Sequence, residues 1–538
     1  MRKLINWSSR WSSPLCGMVS LGLLGGSVVL AAEKSTEPQP PLITPSKATT
    51  NVTGPLDSEG YVDFVAALNQ QLGAGVSPEE NAVIPFLRGM GPCEGKSEVT
   101  NLVLKELGQP PWQPGDLDFQ SMGDVGRARF GDNNPAVQAY YDQQTQAGSR
   151  PWTEKDFPDM AALLKTNDQA LAMITEGLKR PKYYRPLVRR HPTDSMIELL
   201  LPDIQESREL ARQLQMRAML HLGHGRLAES QQDLMSLHRL SRHIARGGTL
   251  IEGLVGIAID AMSMQSDSVW LNHSAQTAET IAQYRAELQA LPPLGDVGRQ
   301  MNLTERYCGL DATQAIARGR HGSVMSLSAF DADQLGIDKM DRYFSPEGFA
   351  DALVAMSVNW NVAMTTMNGM YDDLSKVASA PTRQERLAVL GELDERLVQI
   401  RNDSTSVKGV VSSVFGGNKA RGKNLANILA SLLIPAVGQA CEAYDRATTR
   451  REVFDVLLAV AEYQKSEGAY PESLDVLVPK YLKSVPIDRY NLEPLRYLTD
   501  GKTVKVYGVG TNGIDNHGLT FGQGDGNDDL VYSLPPTP

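Results

Sequence analysis

The side chains whose types and spacing best suit them to chemistry lie close to the C-terminus. Asn512, Asp515, Asn516, Asp525, Asn527, Asp528 and Asp529 fall in one short run, punctuated by Gly510, Gly513, Gly518, Gly522, Gly524 and Gly526. A hard cation such as Ca²⁺ takes roughly six to eight oxygens from carboxylates, amides and backbone carbonyls, and glycines let the carbonyls turn inward. Asn512, Asp515, Asp525, Asn527, Asp528 and Asp529 are therefore the candidate metal ligands, with calcium as the candidate cofactor. The competing reading of the same composition is a solvated, glycine-flexible loop.

Other constellations are less complete. Gly417-x-x-x-x-Gly422-Lys423-Asn424 comes near a phosphate-binding P-loop, but Asn424 stands where a Ser or Thr hydroxyl has to meet Mg²⁺, so a flexible loop is expected. His221, His224, His238 and His243 cluster in sequence with Glu229 and Asp233, yet zinc needs a third ligand converging from a second helix. Surface or partly buried histidines are the commoner outcome. The chain contains no His-Glu-x-x-His and no Gly-x-Ser-x-Gly, so the zincin and serine-hydrolase signatures are missing and no catalytic residue is assigned. Met356, Met364, Met367 and Met370 repeat at helical spacing, which favours core packing.

The 538 residues are expected to form two or three domains. With 41% hydrophobic and 21% charged residues, most of the chain can bury a core. A net charge of −11 without a long basic block disfavours a nucleic-acid partner. Arg2, Lys3 and Arg10 precede an apolar run over 15–30 and then Ala31-Ala32, the pattern of a secretory signal peptide over 1–32. The alternative is an uncleaved membrane anchor. No later segment is apolar and long enough to span a bilayer, so no membrane span is expected after cleavage. Cys93, Cys308 and Cys441 would then remain, an odd number that permits one disulfide and a free thiol without fixing the pairing.

The elements that must position these residues read as follows. Residues 33–55 are rich in Pro, Ser and Thr and are expected to be an extended linker. A mostly helical region over 56–200 follows, with helices expected near 98–107, 135–145 and 158–178. A central helical domain spans 201–435. Leu210, Leu214, Ala218 and Leu222 step along one face, Gly223-His224-Gly225 interrupts, and Leu227, Leu234, Leu237 and Ile244 continue, giving a helix pair. Residues 250–264 are apolar almost all round, which suits a buried helix. Further helices are expected over 296–316, 346–376, 383–401 and 425–433, with an internal loop over 401–424. The region 436–538 holds a long helix over 437–466, closed by Gly468, then strands over 495–498, 504–509 and 530–534, the first two joined at Asp500-Gly501.

Four stretches carry a resemblance. Gly468-Ala-Tyr-Pro-Glu-Ser-Leu-Asp-Val-Leu-Val-Pro-Lys-Tyr-Leu, followed by Pro486-Ile-Asp488, two strands and the acidic loop, resembles the C-terminal half of the major pseudopilin of type II secretion. The resemblance implies a helix on a small antiparallel sheet and calcium in the loop. Asn512 falls where that family has the Asp of an Ala-Asp-Gly turn, and Asn527 and Asp529 fall on the two acids of its Asp-x-Asp-Ile pattern. Two family carboxylates are thus amides here, with Asp515 and Asp528 available to compensate. Filament assembly is not implied, because the matching helix carries Glu442, Asp445, Arg446, Arg450 and Arg451. The turn Leu222-Gly223-x-Gly225-Arg226-x-x-Glu229 is similar to a tetratricopeptide repeat, without a second copy. The segments 61–92 and 151–186 look like the front half of uncharacterised exported proteins of planctomycete-type bacteria, a family that brings no activity with it.

The expected fold class is mainly α, a multi-helix domain with tetratricopeptide-like helix pairs, plus a small C-terminal α+β pseudopilin-like module. The expected function is a non-catalytic exported or cell-envelope scaffold or interaction module, periplasmic or extracellular, with a protein partner in the cell envelope. The alternative is an exported hydrolase whose active site the sequence does not reveal.

Overall fold

Cap residues and apolar periodicity set most of the helix boundaries in the computed structural model, which describes residues 40–92, 97–131, 134–191, 194, 196–199, 204–320, 358–405, 417–433 and 435–536. From Pro41 onward these residues belong to one compact unit. The first helix, α1 (Phe64–Leu72), starts where the Asp63 carboxylate accepts the Ala66 N–H, and it buries Phe64, Val65 and Leu68. Then come α2 (Val83–Met90), α3 (Ser97–Glu106), α4 (Met122–Phe130) and α5 (Pro135–Ser149), the last opened by proline in its first turn behind the Asn134 cap. The single helix expected over 158–178 is two, α6 (Pro158–Thr166) and α7 (Asp168–Gly177). The break falls at Asn167, whose buried amide bonds to Gln120 and Gln213 instead of continuing the helical face.

After the short α8 (Met196–Leu199), three long helices pack side by side: α9 (Ile204–Gly223), α10 (Leu227–Ala245) and α11 (Leu250–Leu271). Gly223 is more than a breaker between α9 and α10. A Cβ there would lie 1.8 Å from the Trp152 carbonyl oxygen, and Trp152 itself donates from Nε1 to the Met216 carbonyl at 3.1 Å. The expected buried helix is α11, opened by a reciprocal capping box between Thr249 and Glu252. Next are α12 (Ala278–Ala290) and α13 (Val297–Gln300), which runs through a π turn at Met301–Glu305 into α14 (Arg306–Ala317). Finally come α15 (Trp360–Ala378), α16 (Arg383–Thr405), α17 (Gly417–Leu433) and α18 (Pro435–Glu467).

Two further expectations need correction. Residues 41–55 are not an extended linker: Ile43 and Thr50 are buried, and the Asn368 amide on α15 donates to the Lys47 and Ala48 carbonyls. The P-loop-like stretch from Gly417 to Asn424 is helical, the first turns of α17, where a loop was expected. Gly422 serves close packing there, since a Cβ would lie 2.4 Å from the Asn359 carbonyl oxygen at the start of α15.

The last helix joins the two halves of the core. Val437, Ala440, Cys441, Tyr444 and Ala447 belong to an apolar cluster with residues of α1, α14 and α15. Val453, Leu457, Leu458 and Val460, further along the same helix, belong to a second cluster shared with α2, α9, α10, α11 and the sheet. The sheet is antiparallel in the order β1 (Arg496–Thr499), β2 (Val504–Gly508), β3 (Leu530–Leu534), with Val506 opposite both Tyr497 and Tyr532. Alternation puts Val504 and Val506 of β2 in the core. The structure is thus mainly helical with a small C-terminal antiparallel sheet, as periodicity predicts. No helix among the described residues is long and apolar enough to cross a membrane.

Candidate functional site

The acidic loop between β2 and β3 is held by its own side chains. Asp529 is fully buried and accepts two backbone N–H groups, from Asn516 at 3.3 Å and Gly518 at 2.9 Å. Asp515 accepts the His517 N–H at 2.8 Å and the Tyr507 hydroxyl at 3.2 Å, and its other oxygen lies 3.0 Å from Arg496 Nε. Asn512 accepts the Ile514 N–H and donates to the Asn516 side chain and the Gly526 carbonyl. Asp528 Oδ2 accepts the Asn512 N–H, Asn527 donates to the Gln523 carbonyl, and Asp525 is exposed. These are the local side-chain-to-backbone bonds that make Asn and Asp frequent in turns.

Burial pushes the Asp529 carboxyl above its ordinary range despite those two N–H bonds. Burial also opposes the Asp515 charge, but the His517 N–H, Tyr507 and Arg496 hold that carboxyl below the ordinary range. As a calcium cage, the loop is short of open ligands. Among the described residues no three carboxylate, thiol or imidazole groups are grouped to hold an ion, and a calcium ion would have to compete with the loop's own N–H groups. One oxygen is different. Asp528 Oδ1 is buried without a hydrogen-bond partner, packed over Gly510, where a Cβ would lie 2.5 Å from it.

A dense titratable cluster lies elsewhere among the described residues, and of its members the sequence alone singles out His238, one of the four histidines short of a converging zinc ligand. His238 and Arg242 stand one turn apart on α10, and Asp260 and Asp267 stand two turns apart on α11. The His238 ring lies between the carboxylates, Nδ1 3.0 Å from Asp260 and Nε2 2.7 Å from Asp267. Arg242 donates to the same Asp260 oxygen at 2.5 Å, Tyr284 of α12 donates to Asp267 at 2.6 Å, and Arg451 of α18 lies 4.0 Å from Asp260. Burial opposes the imidazolium, but Asp267 and Asp260 outweigh it and raise the His238 pKa. Burial likewise opposes the Asp260 anion, and Arg242 with His238 holds its pKa far below the ordinary value.

Both ring nitrogens of His238 therefore act as donors to carboxylates. With His238, Arg242, Asp260 and Asp267 all buried, the cluster is a clamp joining α10, α11 and α12, out of reach of a substrate. A signal for it was present: two acids seven residues apart in a largely apolar helix share a face, and that face needs cations if it is buried.

The other histidines go separate ways. His221 lies 3.6 Å from Asp233, His224 pairs with Glu154 at 2.9 Å, and His243 Nε2 meets the Leu178 carbonyl at 3.1 Å. Burial lowers the His243 pKa to about 4, so its ring is neutral at neutral pH. Met364, Met367 and Met370 are buried in the core as expected, and Met356 lies outside the described residues. Cys308 and Cys441 are free, buried thiols, and burial pushes the Cys441 pKa up to about 11. Cys93 and the 1–32 segment also lie outside the described residues. The chain matches no family model, and neither curated proteins nor solved structures offer a match.

Proposed function

We propose that the protein is a non-catalytic exported or cell-envelope scaffold that engages a protein partner through the loop between β2 and β3. The observation that carries this reading is the contrast between how firmly the loop is tied and what it presents. Its backbone is fixed by the Asn and Asp bonds described above, yet Phe521 is 89% exposed and Ile514 61% exposed. Ordered loops that hold an aromatic in water suit the anchor positions of interfaces, because little ordering entropy is left to lose on association.

In this reading α18 and the sheet are a pseudopilin-like unit reused as a stable platform. The helix pair α9 and α10 is tetratricopeptide-like in its turn. The test is recovery from the organism's own envelope extract on the immobilised chain lacking residues 1–32, with wild type beside Phe521→Ala. A protein retained by wild type and lost by the variant is the expected result. Equal recovery by both, or none by either, overturns the proposal.

Calcium in the same loop is a second reading, favoured by the unpartnered Asp528 Oδ1. With amides at Asn512 and Asn527 the site charge is low, so binding would be weak and the stabilisation modest. The melting temperature is expected to be higher in excess calcium than in excess chelator. Identical melts remove the reading.

A further inference from the structure

A cavity of about 340 Å³ opens between α1, the 181–187 segment, the ends of α9 and α10, and the Gly247-Gly248-Thr249 turn into α11. Its charged lining is one-sided. Lys182, Arg185, Arg246 and Arg299 face a single acid, Glu252, on a chain whose net charge is −11. Glu252 is already engaged, accepting the Thr249 N–H at 2.9 Å and the Thr249 hydroxyl at 3.0 Å. Lys182 is held by Glu80 and the Gly75 carbonyl. Arg246 and Arg299 are exposed, and among the described residues neither guanidinium has an ion-pair or hydrogen-bond partner.

A second, independent feature points into the same space. Thr304 lines the cavity and is fully buried, and its Oγ1 has no hydrogen-bond partner; it faces Gly248, where a Cβ would lie 2.9 Å from it. A buried hydroxyl is seldom left unsatisfied without reason, and a bound acceptor oxygen would satisfy it. The helix N-terminus itself is not the attraction. The Leu250 N–H is taken by Glu305 at 2.9 Å and the Glu252 N–H by Thr249 at 3.1 Å. Ser207 also lines the cavity, and an apolar and aromatic part of the wall is formed by Leu68, Leu72, Val76, Ile204 and Tyr183, the last stacked on His243 with ring centroids 5.5 Å apart.

We infer that this cavity binds a small organic anion, a phosphate monoester or carboxylate on a compact apolar body, with Arg246 and Arg299 holding the charged head. Guanidinium is the side-chain group best matched to such heads, giving paired charge-assisted bonds. The apolar body would lie against the leucine and tyrosine wall, and the Thr304 hydroxyl would donate to an oxygen of the head. The site is separate from the loop on which the scaffold proposal rests.

The test is calorimetric titration of the purified full chain with phenyl phosphate, benzoate and the neutral benzyl alcohol. At least one of the two anions is expected to bind more tightly than the alcohol, with an affinity that falls as salt is raised. The double variant Arg246→Gln, Arg299→Gln changes two exposed side chains and is expected to fold as wild type by circular dichroism, yet to weaken anion binding by about tenfold or more. Binding by neither anion, an alcohol affinity equal to that of the anions, or undiminished binding by the double variant overturns the inference.

Discussion

Asp260→Ala is expected to destabilise the fold by about 3–5 kcal/mol, the cost of removing one partner from a buried charge network. The variant leaves the buried Arg242 guanidinium with only its bond to Ser241 and strips one acceptor from the His238 ring. Urea unfolding at neutral pH is the measurement. A loss below about 1 kcal/mol would mean that the cluster is solvated and behaves as a surface ion pair.

The pH dependence has two limbs. His238 has a folded pKa raised above 6.5, so its contribution is complete below that value and is lost as pH rises through the folded one. Asp260 has a folded pKa lowered from 3.8, so its contribution is present above 3.8 and is lost as pH falls through the folded value. The stability difference between wild type and Asp260→Ala should therefore be greatest between pH 3.8 and 6.5 and shrink on the alkaline side. A difference that grew with rising pH would contradict an imidazolium at His238.

The second large effect is expected at Leu457. It is buried on α18 in the cluster that also contains Val504 and Val506 of the sheet and Trp152 and Trp270 of the helical body. Leu457→Ala should cost about 2–5 kcal/mol in lost burial and residual cavity. Because one helix serves both parts, sheet and body should lose stability together. The urea midpoint by tryptophan fluorescence and the hydrogen exchange of the Val506 amide are expected to shift in step. A fluorescence midpoint that stayed put while the strand amide exchanged faster would show the sheet folding as a separate unit.

Much of this architecture was legible in the residues, because amphipathic periodicity and turn chemistry are local. The pair α9 and α10, the apolar α11, the long α18 and all three strands lie within a few residues of where spacing predicts them, with α11 running on to Leu271. What failed was long-range in origin. The Asn167 break depends on Gln120 and Gln213, and the burial of Ile43 and Thr50 depends on a cover that composition alone does not reveal. Glycine misled in the same way: Gly422 looks like loop, yet it lies in a helix, where the missing Cβ leaves room for another backbone passing close by.

The candidate chemistry was less legible than the fold. Asn and Asp among glycines suit a cation and suit turns equally well, and only coordinates say which N–H groups their oxygens meet. The cationic cavity could not be found by spacing at all. Lys182, Arg246 and Arg299 come from three separate segments, and no motif links them.

The distance in sequence between α18 and the helices it packs on also bears on how the polypeptide is made. Arg285 bonds to Asp455 across 170 residues, and Tyr444 reaches the Ala245 carbonyl across 199. A ribosome releasing the polypeptide from its N-terminus thus exposes apolar faces of α11 and α12 long before the helix that covers them emerges. The nascent chain must stay unaggregated until α18 has been made, so demand for holding chaperones should track the delay between synthesis of α11 and synthesis of α18.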